Sequence, residues 1–481
     1  MTRTVSASRV AQLVAGFDRH PAYAGLAAGL RVAIGDGRIP HDTRLPSERE
    51  LTAALSVSRT TVTRAYAELR EQGYAVARQG AGTFTRIPGG RARTLDRALS
   101  PRAESEATID LNCAASSAPP GVAAAYAAAV AALPAYLSGH GYFPAGLPEL
   151  QAAIARSYDA RGLPTEPDQI MVTAGALAAG AVAAHTLVRP GDRVLVESPV
   201  YPNAPRAFAR AGGRLVPAPV DDAGWDIDQL TTTIGRARPR AAYFIPDFQN
   251  PTGHLMSDAD RAVAARALAE SGTVVVVDEC LQQLRLDSTE EPRPLAAHVT
   301  EAGGTALTVG GASKAFWGGL RIGWLRAPTD WLAPLTEARL TLDLGAPVVE
   351  QLALLSMLDH ADDTLAHQRD RLRGQRDTLA AALTAALPDW RFRLPQGGLA
   401  LWCELPAPLA VPLAEEAERR GVLVSPGPVF APEGGFASRV RIPFTRPEAE
   451  LHQAVEALAD AWPAALTHDP GDRGRRRAMV A

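Results

Sequence analysis

Lys314 is the single lysine of this 481-residue chain, which otherwise uses arginine for its long basic side chains. It follows an apolar run at residues 306–309 that predicts a buried strand. A lysine of an α/β protein usually lies on the surface, but a primary amine can also attack carbonyl groups. Because the chain avoids lysine everywhere else, its retention at this position favours a chemical role.

A carboxylate lies at the end of another apolar run. Asp278 directly follows four valines at residues 274–277. Binding sites of α/β proteins form at the carboxyl ends of buried strands, so Asp278 is a candidate binding residue. The alternative is that Asp278 caps the N-terminus of a helix.

The elements that must position these residues alternate along the middle of the chain. Alanine-rich helical stretches separate apolar, strand-like runs at residues 169–173, 193–197, 241–245, 273–277 and 306–309. This alternation predicts an α/β fold with a mainly parallel sheet and helices on both faces. From about residue 348 a long helical pattern leads to strand patterns at 392–404, 421–424 and 440–444. These later elements predict a smaller C-terminal α/β lobe.

The N-terminal region is organised differently. Helical patterns at residues 26–34, 48–55 and 59–72 precede a strand hairpin at 74–85. Residues 88–110 open with Pro-Gly-Gly and lack periodicity, which indicates an interdomain linker. We therefore predict a small domain at 1–87, a linker at 88–110, a large domain at 111–465 and a disordered basic tail at 466–481.

The composition is that of an ordinary globular protein, with 47% hydrophobic residues and a net charge of -3. The overall charge therefore gives no information about DNA binding. The three cysteines are widely spaced and form no C-x-x-C pair, which argues against a disulfide framework or a metal site and favours a reducing compartment. The sequence contains no apolar signal core and no membrane span, so we expect a cytoplasmic protein.

The N-terminal motifs carry a family resemblance. Residues 45–51, 58–66, 73–74 and 79–84 resemble the GntR-type winged helix-turn-helix, which implies binding to a double-stranded DNA operator. A helix capped by Ser58 would enter the major groove, and a glycine-rich wing would contact the backbone or minor groove. The residues implied in DNA binding are Arg49, Ser58, Arg59, Thr60, Thr61, Gly80 and Gly82. The alternative is that the arginines form an ordinary solvated helix face. Some relatives carry arginine in place of Thr63, so the operator sequence does not carry over.

Residues from about 111 to 462 resemble the class I/II aminotransferases of fold type I, and the two-domain combination resembles the MocR subfamily of GntR regulators. The resemblance rests on Gly-Ala-Ser-Lys at 311–314, Gly-Leu-Arg-Ile-Gly at 319–323, the strand that ends in Asp278, and Asn-Pro-Thr-Gly at 250–253. It implies pyridoxal 5′-phosphate (PLP) as the cofactor. Its implied partners are Lys314 for the Schiff base, Arg321 for the phosphate, Asp278 for the pyridine nitrogen and Asn250 for the ring 3-oxygen.

The same resemblance implies further contacts. Tyr201, in Ser-Pro-Val-Tyr at 198–201, would stack on the cofactor ring. A phosphate cup at a helix start would include Gly175, Ala176 and Leu177. Ser313 is a further implied cofactor-binding residue. Arg441, in preference to Arg439, would bind an effector carboxylate because it fits the family's Arg-x-x-Phe spacing. Tyr142 would reach the phosphate bound by a neighbouring subunit.

Two departures from the family pattern bear on activity. Leu281 replaces a frequent tyrosine and Gly311 a common serine, which would weaken control of the cofactor but not its binding. We therefore expect a homodimeric transcription regulator that senses PLP, or an amine or amino-acid effector, through aldimine chemistry at Lys314. One alternative is a catalytically active aminotransferase with an accessory DNA-binding domain. Another is a DNA-binding protein whose large domain is only a dimerisation scaffold.

Overall fold

The computed structural model describes residues 3–35, 38–39, 41–86, 109–288 and 291–467. The predicted linker lies outside the described residues except for its last two positions, and the predicted tail lies outside them from residue 468. Within the described ranges, no helix combines the length and the apolar character needed to cross a membrane.

The N-terminal unit consists of four helices and a small sheet. The helices are α1 (Ala7–Leu13), α2 (Ala22–Gly35), α3 (Glu48–Leu55) and α4 (Arg59–Glu71). The strands are β1 (Arg3–Thr4), β2 (Thr43–Arg44), β3 (Ala75–Arg78) and β4 (Gly82–Thr85), in the order β1-β2-β4-β3. Ser47 and Ser58 cap α3 and α4, which explains why both helices begin where the sequence predicts. The sequence does not predict α1, β1 or β2.

The large unit is built on an eight-stranded sheet in the order β6-β13-β12-β11-β10-β7-β8-β9. Its strands are β6 (Ile170–Thr173), β7 (Arg193–Ser198), β8 (Arg214–Asp221), β9 (Gly224–Trp225), β10 (Ala241–Phe244), β11 (Val274–Asp278), β12 (Ala306–Gly311) and β13 (Gly323–Arg326). The five central strands are parallel, whereas β13 runs antiparallel to both of its neighbours. The predicted α/β fold with a mainly parallel sheet is confirmed.

Helices cover both faces of this sheet. They are α5 (Val122–Ala132), α6 (Pro148–Asp159), α7 (Ala176–Leu187), α8 (Asn203–Arg210), α9 (Ile227–Ala237), α10 (Asp258–Glu270), α11 (Leu295–Glu301), α12 (Ala312–Ala315), α13 (Leu332–Leu340) and α14 (Val348–Leu358). In β11, Val275 and Val277 belong to one hydrophobic core, while Val274 and Val276 belong to the core on the opposite face. This alternation explains why a strand buried on both faces is apolar at every position.

The C-terminal lobe packs its helices on a three-stranded sheet in the order β14-β17-β16. Its elements are α15 (Ala361–Ala386), α16 (Ala410–Arg419), α17 (Glu448–Leu466), β14 (Ala400–Glu404), β16 (Ser425–Pro426) and β17 (Arg439–Pro443). A separate parallel pair joins β5 (Ile109–Asp110) to β15 (Val422–Leu423).

Three boundary predictions are wrong in detail. Ile109 and Asp110 form β5 rather than linker. The long helix predicted from residue 348 is two helices, because α14 buries its apolar residues in the core of the large unit and α15 buries its later leucines in the core of the lobe. The strand predicted at 392–404 is confined to β14, because Pro395 and the following glycines do not favour a regular strand.

Candidate functional site

The amine of Lys314 lies at the carboxyl edge of the large sheet. Lys314 is in the single-turn helix α12, which directly follows β12, so the strand end fixes where its side chain begins. Its Nζ donates a hydrogen bond to the carbonyl oxygen of Ala114 at 2.9 Å. Burial lowers the pKa of Lys314, and Arg441 lowers it further, whereas Asp278 acts in the opposite direction. A lowered pKa increases the fraction of uncharged amine, which is the form that attacks a carbonyl group.

Asp278 ends β11, and both of its carboxylate oxygens accept hydrogen bonds. Oδ1 accepts from the backbone N–H of Cys280 at 2.9 Å, and Oδ2 accepts from the hydroxyl of Tyr243 on the neighbouring strand β10. The chain forms a turn after Asp278 and no helix begins there, so the alternative of a helix N-cap is wrong. Sequence reasoning does not identify Tyr243. The only available signal is the strand register, which pairs it with Val276, two residues before Asp278.

Arg441 is fully buried and connects three parts of the site. Its Nη1 donates to Oδ1 of Asn250 at 3.2 Å, and its Nη2 donates to the carbonyl oxygen of Asn112. Its Cζ lies 4.9 Å from the ring centroid of Phe430. The Nε is buried without a hydrogen-bond partner among the described residues. An unpartnered buried donor on a guanidinium group is suited to a carboxylate, which binds arginine through two parallel hydrogen bonds.

Arg439 has a different environment although it lies on the same strand. It pairs with Asp222 at 2.9 Å and with Glu404 at 3.5 Å. Two acids therefore already neutralise Arg439, whereas no ion pair involves Arg441 within the described residues. Burial also lowers the pKa of Arg441 to about 10, so the group still carries its charge at neutral pH.

A small cradle lies where α7 begins. Nη2 of Arg321 donates to the carbonyl oxygen of Ala174 at 3.3 Å, and Nη1 lies 3.5 Å from Oγ of Ser313. Gly175 has a φ of +94°, and a Cβ at this position would lie 2.5 Å from Nη2 of Arg321. Gly323 likewise has no room for a side chain, since its Cβ would lie 2.3 Å from the backbone nitrogen of Ala176. The two glycines bring the N-terminus of α7 close to Arg321, and helix N-termini attract phosphate.

Tyr201 follows a cis peptide bond between Ser198 and Pro199 and is half-buried. Its hydroxyl accepts a hydrogen bond from Nδ2 of Asn203 at 2.8 Å. Burial raises the pKa of Tyr201, and the nearby carboxylate of Asp278 raises it further. The structure therefore brings Tyr201 into the same site as Asp278.

Four positions named from the sequence have other surroundings. Leu177 is 46% exposed, and Tyr142 is 57% exposed with its ring stacked on His140. Leu281 packs in the core of the C-terminal lobe. A Cβ at Gly311 would lie 3.2 Å from the Cβ of Ala176, so the close approach of α7 leaves little room for the serine found in relatives.

The N-terminal unit presents the first turn of α4 to solvent. Oγ of Ser58 accepts the backbone N–H of Thr61 at 3.1 Å, while the opposite face of α4 is buried against the core. The side chain of Arg59 is 78% exposed, and its Nε lies 3.3 Å from Glu48. Among the other predicted contacts, Arg49 and Thr60 are exposed. Gly80, in the turn between β3 and β4, has a φ of +71°, and Gly82, the first residue of β4, has a φ of +105°.

The donor set of the large unit fits the cofactor that the resemblance implies. PLP combines a phosphate dianion with an aldehyde and a ring nitrogen. The cradle at α7 suits the phosphate, the Lys314 amine suits the aldehyde, and the Asp278 carboxylate suits a protonated ring nitrogen. A Cβ at Gly175 would clash with Arg321 and so remove this cradle. This steric observation supports the phosphate site independently of the sequence motif.

Comparisons with known proteins agree with both parts of this description. The aminotransferase class I and II profile matches residues 122–458, and the profile of bacterial regulatory proteins of the gntR family matches residues 22–85. The HTH-type transcriptional regulator TauR of Rhodobacter capsulatus is 28% identical over 82% of this chain and 86% of its own. The probable rhizopine catabolism regulatory protein MocR of Rhizobium meliloti is 31% identical over 64% of this chain and 66% of its own.

Among solved structures, LysN, an alpha-aminoadipate aminotransferase of Thermus thermophilus complexed with N-(5′-phosphopyridoxyl)-L-leucine, is similar with a TM-score of 0.69 and 27% identity. The alignment covers 75% of this chain and 94% of that structure. The fold and the family together imply PLP as the cofactor. The chain therefore belongs to the class I and II aminotransferase family and, with its N-terminal GntR domain, to the MocR subfamily of GntR regulators.

Proposed function

We propose that this protein is a PLP-dependent transcription regulator that binds an operator as a homodimer and senses PLP, or an amine or amino-acid effector, at Lys314. When bound, PLP supplies two chemical functions: an aldehyde, which can react with different amines, and a ring, which withdraws electrons. In this proposal Arg321 and the start of α7 hold the phosphate, Asp278 pairs with the ring nitrogen, and Tyr201 packs on the ring. Asn250 orients both the ring oxygen and Arg441.

The observation that carries the proposal is the state of Arg441. It is buried, charged and close enough to Lys314 to lower the pKa of the amine, and its Nε has no partner in the described chain. A carboxylate would satisfy that donor, while the amino group of the same molecule would lie toward Lys314. The effector class that best fits is therefore an amine that carries a carboxylate.

Leu281, at a position where relatives often have tyrosine, favours regulation over catalysis. Leu281 is directed into the core of the lobe, so it supplies no hydroxyl beside the cofactor ring. Tyr243 instead donates its hydroxyl to Asp278, from which we infer a role at the ring nitrogen rather than the ring oxygen. Lys314 can still bind a carbonyl group, but control of proton transfer is reduced.

The test is DNA footprinting of the region upstream of the gene with purified protein, in the presence and absence of PLP and of an amino-acid panel. We expect the footprint or its affinity to change with the effector, because the effector must bind one conformation more tightly than the other. Lys314→Ala should remove the response while retaining the basal footprint.

A footprint that is unchanged by every addition would exclude the sensor. Conversion of an added oxoacid in multiple turnovers would support the aminotransferase instead. Sedimentation velocity of the same protein tests the dimer.

A further inference from the structure

A cavity of about 330 Å³ lies where the N-terminal unit meets the aminotransferase-like domain. Beside it the two units are joined by an ion pair between Arg9 and Asp221 and by a hydrogen bond from the N–H of Ala437 to the carbonyl oxygen of Gly35 at 3.3 Å. Arg38 of the N-terminal unit contributes to its wall. Neither Lys314 nor Arg441 lines it, so this junction cavity is distinct from the cofactor site.

The acids of the junction cavity already have cationic partners. Asp221 pairs with Arg9, and both Asp222 and Glu404 pair with Arg439. Because Arg439 faces two carboxylates, this group of three carries a net charge of -1.

Two further arginines line the cavity without an ion pair in the described part of the chain. Arg391 and Arg393 both contribute to the wall. Arg393 donates one hydrogen bond, from Nη2 to the carbonyl oxygen of Thr252 at 3.2 Å. Burial and the charge of Arg393 together lower the pKa of His254 to about 4, so this neighbouring ring adds no positive charge at neutral pH. The two positive charges of Arg391 and Arg393 exceed the one carboxylate charge that Arg439 leaves unbalanced. Guanidinium groups favour carboxylate and phosphate as ligands.

The remaining wall is aromatic. Trp402 lines the cavity and makes edge-to-face contacts with Phe436 at 6.0 Å and with Phe430 at 5.5 Å between ring centroids. Phe430 is the ring that lies 4.9 Å from the Cζ of Arg441. Trp402 is also paired with Arg441 across β14 and β17. A ligand that rests on Trp402 would therefore be one aromatic ring away from the guanidinium group of the cofactor site.

We propose that the junction cavity binds a small organic anion, a carboxylate or phosphate carried on a flat ring, with its anionic group on Arg391 and Arg393 and its ring against Trp402. The volume is within the range of small-molecule sites. Because Arg38 belongs to the DNA-binding domain, the bound anion stabilises the docked arrangement of the two domains. This second site does not depend on PLP or on the role of Lys314.

The experiment titrates the full-length protein, loaded with PLP, with benzoate and with phenyl phosphate at constant ionic strength. Tryptophan fluorescence and the thermal midpoint report binding, and benzamide serves as the neutral control. The titrations are repeated in Arg441→Gln, which excludes binding of the carboxylate at the cofactor site. We expect saturation at about millimolar concentration for at least one of the two anions and none for benzamide.

The matched variants are Arg391→Gln/Arg393→Gln at the cavity and Arg266→Gln, an exposed arginine on α10. We expect the double variant to weaken binding at least tenfold, since it removes charge-assisted hydrogen bonds, and Arg266→Gln to leave binding unchanged. Tighter binding of benzoate than of phenyl phosphate, or the reverse, identifies the anionic group and supports the proposal in both cases.

Two results would overturn the proposal. One is the absence of saturation by both anions up to about 10 mM. The other is equal weakening by Arg266→Gln, which would indicate general screening rather than a site. If the double variant does not fold, Arg391→Gln alone gives the same comparison, because its side chain is exposed.

Discussion

Replacing Arg441 with glutamine should remove the ability of the protein to distinguish an amino acid from the corresponding amine without a carboxylate. Nη1 and Nη2 of Arg441 already donate to Asn250 and Asn112, and only Nε lacks a partner among the described residues. A carboxylate would take the Nε and share one Nη, forming two charge-assisted hydrogen bonds in a buried place. Glutamine is shorter and uncharged and can replace neither.

The magnitude follows from those two bonds. Each hydrogen bond to a charged group contributes about 1.5 to 3 kcal/mol, and part of this is offset because the carboxylate must lose its hydration and the Nη must share an existing acceptor. A net loss of about 2 to 4 kcal/mol corresponds to roughly 30- to 1000-fold weaker binding of the amino acid. The amine makes no contact with Arg441, so its affinity should change little.

The assay measures the absorbance of the bound cofactor while matched pairs of amino acid and amine are titrated into the protein. The control is Arg439→Gln, which removes an arginine of the same strand that is already paired with Asp222 and Glu404. We expect the ratio of the affinity for the amino acid to the affinity for the amine to fall strongly in Arg441→Gln and to stay unchanged in Arg439→Gln. Two results would refute the reasoning. One is that the parent protein shows no preference for the amino acid; the other is that the preference is lost in Arg439→Gln and retained in Arg441→Gln.

Three further predictions concern pH and salt. Because burial and the charge of Arg441 lower the pKa of Lys314, the rate of covalent PLP capture, followed by stopped-flow absorbance, should level off at lower pH in the parent than in Arg441→Gln. Burial raises the pKa of Glu197 from 4.5 to about 8, so its contribution to stability is present below pH 4.5 and is lost as the pH rises through 8. In urea unfolding experiments the free energy of unfolding should therefore fall by at most a few kcal/mol as the pH rises, and this fall should be smaller in Glu197→Gln. In DNA-binding titrations Arg59→Ala should reduce the salt slope by about one, whereas Arg70→Ala, at the other end of α4, should not.

The sequence predicts elements well where local chemistry marks their ends. The helices α3 and α4 begin after Ser47 and Ser58, whose side chains bind the exposed N–H groups of the first turn. The helix α1 has only seven residues, and such a short helix is stabilised mainly by tertiary packing rather than by local propensity. Its N-cap, Ser6, accepts the backbone N–H of Arg9 at 3.2 Å, but the helical pattern that follows is too short to be recognised from the cap alone.

The direction of β13 is a second feature that the sequence does not reveal. The Gly-Leu-Arg-Ile-Gly motif predicts phosphate contacts but not a strand that reverses the direction of the sheet. Arg321 has a φ of +51°, a conformation uncommon for a residue with a side chain, and it lies immediately before the reversal. The turn that aims Arg321 at the cradle therefore also sets the direction of β13.

Within the site, the residues found from the sequence are those at strand ends or in short motifs, namely Asp278, Lys314, Asn250 and Arg441. Tyr243 and Asn112 are different because their contacts depend on which strands are neighbours and on how a separate segment lies across the sheet. Neither contact follows from spacing along the chain. Periodicity identifies the face of a strand but not its partner.

The segment between the predicted linker and α5 contributes contacts to the site that bear on the proposed regulation. Its first residues form β5, its Asn112 carbonyl accepts from Arg441, and its Ala114 carbonyl accepts from Lys314. The two cations assigned to the effector are thus also anchors of the chain that leads back to the DNA-binding domain. When the Lys314 amine engages a carbonyl group it loses protons and can no longer hold Ala114 in the same way. If Lys314 senses the effector as proposed, a change of chemistry at its nitrogen should weaken the attachment of the segment that connects the two domains.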